Sequence, residues 1–254
     1  MRLASTLLLI LAAEGAAWAD PDVVKAPKPV TAEERPFVFL SDPTTPSAGV
    51  FSMGYGFGLA TGVSADRPLP ANLASGGASH AFSMSFGATE RIAPFASVTA
   101  NKDTLATGVA GVRVQFTDPA SPFRFTLATA GLREGNSGAF GGWVRGAASF
   151  DRGPLRLAAN VHAEKVFGAR RDGLDVLAMA GVSMKVMPSL RLGGEYVGQD
   201  LEEVGGGAEG GARHFAGPNA AIDLGHAQIT LGPAFGLNPA SPRVVGRVGV
   251  LVSF

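Results

Sequence analysis

The chain has 254 residues, of which 35 are Gly and none is Cys, and its 21 Lys+Arg balance 21 Asp+Glu. Zero net charge gives no electrostatic basis for a nucleic-acid partner, whose binders carry a concentrated basic surface; the missing cysteines exclude disulfide staples and thiolate metal sites. The length allows one large β domain, two small ones, or a closed barrel.

Residues 1–19 are predicted to be a secretory signal peptide. Arg2 supplies the basic start, Leu7 to Ala13 the apolar core, and Ala17-Trp18-Ala19 the small-x-small site before Asp20. That apolar run is shorter than the roughly 20 residues a helix needs to span a bilayer, and every other candidate is interrupted by Gly or charge. The expectation is an exported protein with no membrane helix. Residues 20–48, DPDVVKAPKPVTAEERPFVFLSDPTTPSA, are rich in Pro, which lacks the amide donor and fixes its own backbone angle. They are expected to form an extended periplasmic arm, either a disordered leader or an ordered arm that binds a partner or enters a lumen.

From residue 49 the period becomes two. In GVFSMGYGFGLA, Phe51, Met53, Tyr55, Phe57 and Leu59 take one face, and Ser52, Gly54, Gly56, Gly58 and Ala60 the other. The glycines alternate strictly with aromatics, the mark of a strand with a small-residue face and not of a phosphate-cradling loop. The pattern recurs with His80, Phe82, Met84 and Phe86; with Phe123, Phe125 and Leu127; with Leu155, Leu157 and Val161; and with Ile229, Leu231 and Phe235. Weaker segments lie near 92–101, 105–116, 138–150, 190–200 and 213–224. The last strand puts Val244, Val248, Val250, Val252 and Phe254 opposite Arg243, Val245, Arg247 and Ser253. The reading is about twelve strands of roughly ten residues, the length that crosses a bilayer at a tilt; ten strands would result if 92–101 and 105–116 mispair.

The connectors alternate between short ones (TERI, TDPASP, DRGP, MPS, GH) and longer ones, among them residues 61–78, REGNSG, VFGARRDG and the acidic Gly-rich DLEEVGGGAEGGA. Outer-membrane barrels pair tight periplasmic turns with longer outer loops in this way. A soluble sandwich would turn its apolar face inward and cover the other with Lys and Glu, whereas here the second face is Gly, Ala, Ser and Thr with scattered Arg. Phenylalanines gather near strand ends: Phe116, Phe123, Phe150 and Phe254 toward one rim, Phe57, Phe140, Phe167, Phe215 and Phe235 toward the other, as two interfacial girdles. The fold expected is all-β, a single antiparallel up-and-down transmembrane barrel over residues 49–254.

Signal peptide, alternating strands and the terminal VGVLVSF together resemble bacterial outer-membrane β-barrel proteins. The resemblance is to the porin- and transporter-like class as a whole and to no particular member. It implies location in the outer membrane of a Gram-negative bacterium, contact with its lipid, and recognition of Val250, Val252 and Phe254 by the barrel assembly machinery.

The inward face is predicted to carry Arg113, Arg124, Arg145, Arg156, Lys185, Arg191 and Arg247 against Glu164, Asp175, Glu195 and Asp223. Six of the cations flank short turns, which stacks them in the periplasmic half; a like-charged ring there favours anions, unless Arg and Glu pair and fill the lumen. The constriction is expected at Arg145, Arg156, Arg191 and Glu195. Asn160, His162 and Glu164 form an inward row whose spacing is expected to be too wide for a direct hydrogen-bonded relay, and no nucleophile stands beside it, so no catalytic residue is assigned. His80 and His214 are placed toward lipid. No cofactor and no metal site are expected. The function expected is that of a monomeric passive channel or small-solute transporter, anion-favouring through the basic ring; the alternative is a closed structural barrel presenting its loops to a partner.

Overall fold

The structure, a computed structural model, describes residues 36–61, 77–101, 107–135, 137–168, 174–201 and 212–254. Twelve strands run in chain order: β1 Phe51–Thr61, β2 Gly77–Phe86, β3 Ile92–Asn101, β4 Thr107–Gln115, β5 Phe123–Glu134, β6 Phe140–Arg152, β7 Leu155–Phe167, β8 Asp175–Met187, β9 Leu190–Gln199, β10 Arg213–Asp223, β11 Ala227–Gly236 and β12 Val244–Ser253. Each pairs antiparallel with its chain neighbours, and β12 closes on β1, so the barrel leaves no open edge. The 92–101 and 105–116 segments form β3 and β4 and pair from Ile92↔Val114 to Thr99↔Thr107, which removes the ten-strand alternative. The closing seam carries an inward Ser52–Ser253 hydroxyl contact of 2.9 Å, and the backbones of Phe51 and Phe254 exchange both amide bonds, at 3.2 and 2.8 Å.

Alternation sorts the side chains. On β1 the five large residues from Phe51 to Leu59 face outward and are exposed, while Ser52, Gly58 and Ala60 are buried inside. The outer surface is apolar, and both tyrosines on it find a histidine partner. Tyr55 Oη lies 2.8 Å from His80 Nδ1, and Tyr196 Oη 2.7 Å from His214 Nδ1. Pairing these polar tips lowers the cost of placing them on an apolar surface. Phe116, Phe123 and Phe254 are exposed at the short-turn end, and Phe140, Phe167 and Phe235 at the long-loop end.

Phe215, expected in that second band, points inward instead and is 2% exposed. It shares strand parity with Arg213 and Asn219, both buried. The inward face also departs from the small-polar expectation beyond β3. There Leu132, Trp143, Leu177, Met179 and Val197 are buried inside the barrel. Leu177 and Met179 were hidden by their neighbours, because β8 is apolar on both faces and alternation gives no contrast.

Two in-strand prolines demand glycine opposite them. A Cβ at Gly217 would sit 1.9 Å from the Pro233 carbonyl oxygen, and one at Gly232 2.7 Å from that of Pro218. Proline makes no ladder donation, and here the pairing of β10 with β11 is interrupted after Ala216↔Phe235 and resumes past the two prolines, at Ala220↔Leu231. Gly217→Ala is therefore expected to destabilise the barrel by about 1–3 kcal/mol through backbone overpacking. Gly108→Ala, where an added methyl meets nothing within 4 Å, is the neutral comparison. The heat at which each variant loses its folded mobility on a denaturing gel measures the difference.

Candidate functional site: the lumen and its arm

Of the arm expected over 20–48, residues 20–35 lie outside the described residues. Residues 36–48 run inside the barrel down to the short-turn end, where Gly49 N donates to Gly87 O at 2.7 Å before β1 begins. Phe37, Phe39 and Leu40 are buried against Leu177, Met179, Val197, Phe215 and Val245 in one apolar cluster. The Phe39 ring meets Phe215 edge-on at 5.8 Å. Phe37 lies on Gly181, where a Cβ would come within 2.7 Å of its ring, so that glycine makes the room. A second inward cluster joins Val109, Leu132, Trp143 and Val166, with Phe95 stacked on Trp143 at 5.6 Å.

Polar side chains of the barrel hold the arm's backbone. Glu195 is the main anchor: its Oε1 accepts from Val38 N at 2.6 Å and from Asn219 Nδ2 at 2.6 Å, and its Oε2 accepts from Phe39 N at 2.8 Å and Leu40 N at 2.9 Å. An extended segment with no sheet neighbour has amides to satisfy, and a buried carboxylate satisfies three of them at once. Further down, Arg145 Nη1 donates to Ser41 Oγ at 2.5 Å and Arg113 Nη1 to Thr44 O at 2.7 Å. Gln115 Oε1 accepts from Thr45 N at 3.3 Å.

Asp42, on the arm, completes an ion network at the short-turn end. Arg156 Nη1 donates to its Oδ2 at 2.9 Å, with both side chains buried. Arg156 also reaches Asp151 through Nε at 2.6 Å and Nη2 at 2.9 Å, and Arg124 Nη1 reaches the same carboxylate at 2.8 Å. Neither acid was among the predicted site residues. Asp42 sat in a segment without periodicity, and Asp151 at a strand end where exposure is the default reading.

Arg113 and Arg145 both face Ala128 in register, from its two sides, which sets their backbones about 9–10 Å apart. Arg191 Nε donates to Ser183 Oγ at 3.0 Å and its Nη2 to the carbonyls of Pro154 and Ser183 at 3.2 Å. Lys185 is exposed at the end of β8, at a register shift. Arg247 points inward from mid-β12 toward Val38 O at 3.5 Å and the Phe39 ring at 5.5 Å. Val250, Val252 and Phe254 face outward, Phe254 with 71% exposure. The acidic 201–212 loop falls mostly outside the described residues, as do Arg170 and Arg171.

The Asn160, His162 and Glu164 row is closer-knit than its sequence spacing implies. His162 Nε2 lies 3.4 Å from Glu164 Oε2, at the long end of hydrogen bonding, and Arg145 Nε lies 3.3 Å from His162 Nδ1. Arginine only donates, so Nδ1 is the acceptor and Nε2 carries the proton toward Glu164. The Arg145 guanidinium also lies over Trp143 at 4.8 Å. Among the described residues no group of three or more metal-ligating side chains is found.

The arm leaves a cavity of about 190 Å³ between itself and the wall that runs from β11 through β12 and β1 to β6, with Arg113, Arg145 and Arg247 on its lining. Asp42 is the acidic residue on that lining.

No protein-family model and no curated protein matches the chain. Among solved structures it is similar to a KdgM porin in complex with disordered oligogalacturonate, with 10% identity, a TM-score of 0.58, and coverage of 80% of this chain and 99% of that one. It is likewise similar to the COG4313 outer membrane channel from Pseudomonas putida F1, with 10% identity, a TM-score of 0.58, and coverage of 87% and 100%. At such identity the likeness speaks for the fold, and it agrees with the closed twelve-strand sheet and its apolar outer face. In fold, the chain is a closed antiparallel β-barrel of twelve strands, similar to those of the outer-membrane porin and channel.

Proposed function

We propose that the protein is a passive outer-membrane channel or small-solute transporter, anion-favouring, whose lumen is narrowed by residues 36–48. The observation that carries this reading is the cavity left beside the arm, lined by three arginines and one acid, Asp42, which is itself paired with Arg156. A tube of low dielectric focuses that imbalance and lowers the entry cost of an anion. The two solved structures compared above bear the names of a porin and a channel, which supports passage of small solutes. On this reading the protein does no chemistry and needs no cofactor. It is exported by cleavage of residues 1–19, inserts as a monomer among outer-membrane lipids, and is assembled through Val250, Val252 and Phe254. Removing Phe254 is expected to lower the yield of folded barrel in cells and not its refolding in detergent.

Planar-bilayer conductance of the refolded protein in a salt gradient tests the channel. Discrete steps with a reversal potential on the anion side are expected. Arg145→Glu, which puts a carboxylate where the guanidinium lines the cavity, is expected to move that potential toward cation preference. Unchanged selectivity in an open pore would remove Arg145 from the mechanism. The arm's burial favours a second reading, a closed barrel that presents its loops to a partner. Silence from correctly inserted protein, with and without the arm, would select it.

A further inference from the structure

We infer that the cavity beside the arm is a binding site for a compact organic carboxylate, anchored by Arg247. The inference deepens the channel reading above and rests on it for its purpose, though binding itself is an equilibrium property of the lumen.

Arg247 differs from the other inward arginines in what it touches. Arg124 and Arg156 sit on Asp151 and Asp42, Arg113 on a carbonyl at 2.7 Å, and Arg145 on Ser41 and His162. Arg247 reaches Val38 O only at 3.5 Å and otherwise faces the Phe39 ring. Among the described residues no carboxylate lies within ion-pair distance of its guanidinium. Glu195 acts on it through space, but both Glu195 oxygens are taken by the arm's amides and Asn219. A guanidinium has five N–H donors in a planar fork, and one long contact leaves most of that capacity turned to the cavity.

The surroundings give access to it. In register, Arg247 lies between Gly58 and Gly232, and its Nη2 would be 3.9 Å from a Cβ at Gly56. Glycine backbone on the neighbouring strands leaves the fork open from the cavity side. A carboxylate matches the fork with two parallel hydrogen bonds, which a spherical halide cannot do. The size follows from the volume of about 190 Å³, and the organic body from Phe39, Phe95 and Trp143 on the same lining. A small aromatic carboxylate satisfies charge, geometry and wall together.

Calorimetric titration of the full mature chain in detergent, arm included, tests the site with sodium benzoate as probe. Sodium chloride at matched ionic strength and benzyl alcohol are the controls. Saturable benzoate binding near one per chain is expected, with neither control replacing it. Arg247→Met is expected to weaken it at least about tenfold, and Arg247→Lys, which keeps charge and loses the fork, by less. Gly56→Leu fills the cavity in front of an intact Arg247 and guards against a folding defect; it is expected to block binding while the barrel keeps its folded gel mobility. Absence of saturable binding, equal binding by the variants, or equal binding of benzyl alcohol would overturn the site. Benzoate binding by a barrel that stays silent in the bilayer would instead overturn the channel reading and leave the site standing. Open steps without benzoate binding would do the reverse.

Discussion

Glu195→Ala is expected to release residues 36–48 from the lumen, enlarge the conductance step in a planar bilayer, and expose the arm to added protease. The carboxylate accepts from three consecutive arm amides and from Asn219, all within 2.9 Å. Each buried donor left without an acceptor costs about 1–3 kcal/mol, so losing four at once exceeds what one side chain's apolar contacts return. Glutamine is not a rescue. It keeps one accepting oxygen and turns an NH2 group toward either the Val38 and Asn219 donors or the Phe39 and Leu40 donors, so intermediate release is expected. Unchanged conductance and unchanged protection in a folded Glu195→Ala barrel would show that the arm is held by Phe37, Phe39 and Leu40 alone.

Arg156→Met is expected to produce the second large effect, a fall in thermal stability together with loosening of the arm. Arg156 is buried and divides its guanidinium between Asp42 and Asp151. Removing one partner of a buried pair typically costs about 3–5 kcal/mol, because the remaining charge loses its compensation without regaining water. Asp151 retains Arg124 at 2.8 Å, so the deficit falls mainly on Asp42. Asp42→Asn in the Arg156→Met background should therefore recover much of the loss. A double-mutant cycle read from thermal unfolding measures the coupling; a value below about 0.5 kcal/mol would mean that the two groups act independently.

The twelve strands were legible because large apolar residues recur at every second, outward position over most of them, and a one-residue slip would invert every face. The basic lumen was legible from the same parity, with Arg145, Arg156 and Arg247 on the inward phase. Phe215 was readable too, since it shares its phase with Arg213 and Asn219, but its size drew it toward the aromatic girdle. Leu177 and Met179 were not readable, because their outward neighbours are apolar as well.

The arm was beyond the reach of periodicity. A Pro-rich segment has no repeat to betray a binding surface, and the carboxylate that holds Val38, Phe39 and Leu40 lies 155–157 residues away. Glu195 could be assigned to the lumen from its phase; that its charge meets backbone amides and not an arginine depends on a chain segment entering from outside the sheet. The amino-acid sequence by itself therefore determined an antiparallel barrel of about twelve strands and the phase on which its arginines lie, because those follow from local alternation that each strand carries within itself. Only the tertiary structure decided what fills the lumen, which arginines are matched by acids, and that Arg247 is left facing a cavity, because these depend on contacts between residues distant in the chain that no local pattern encodes.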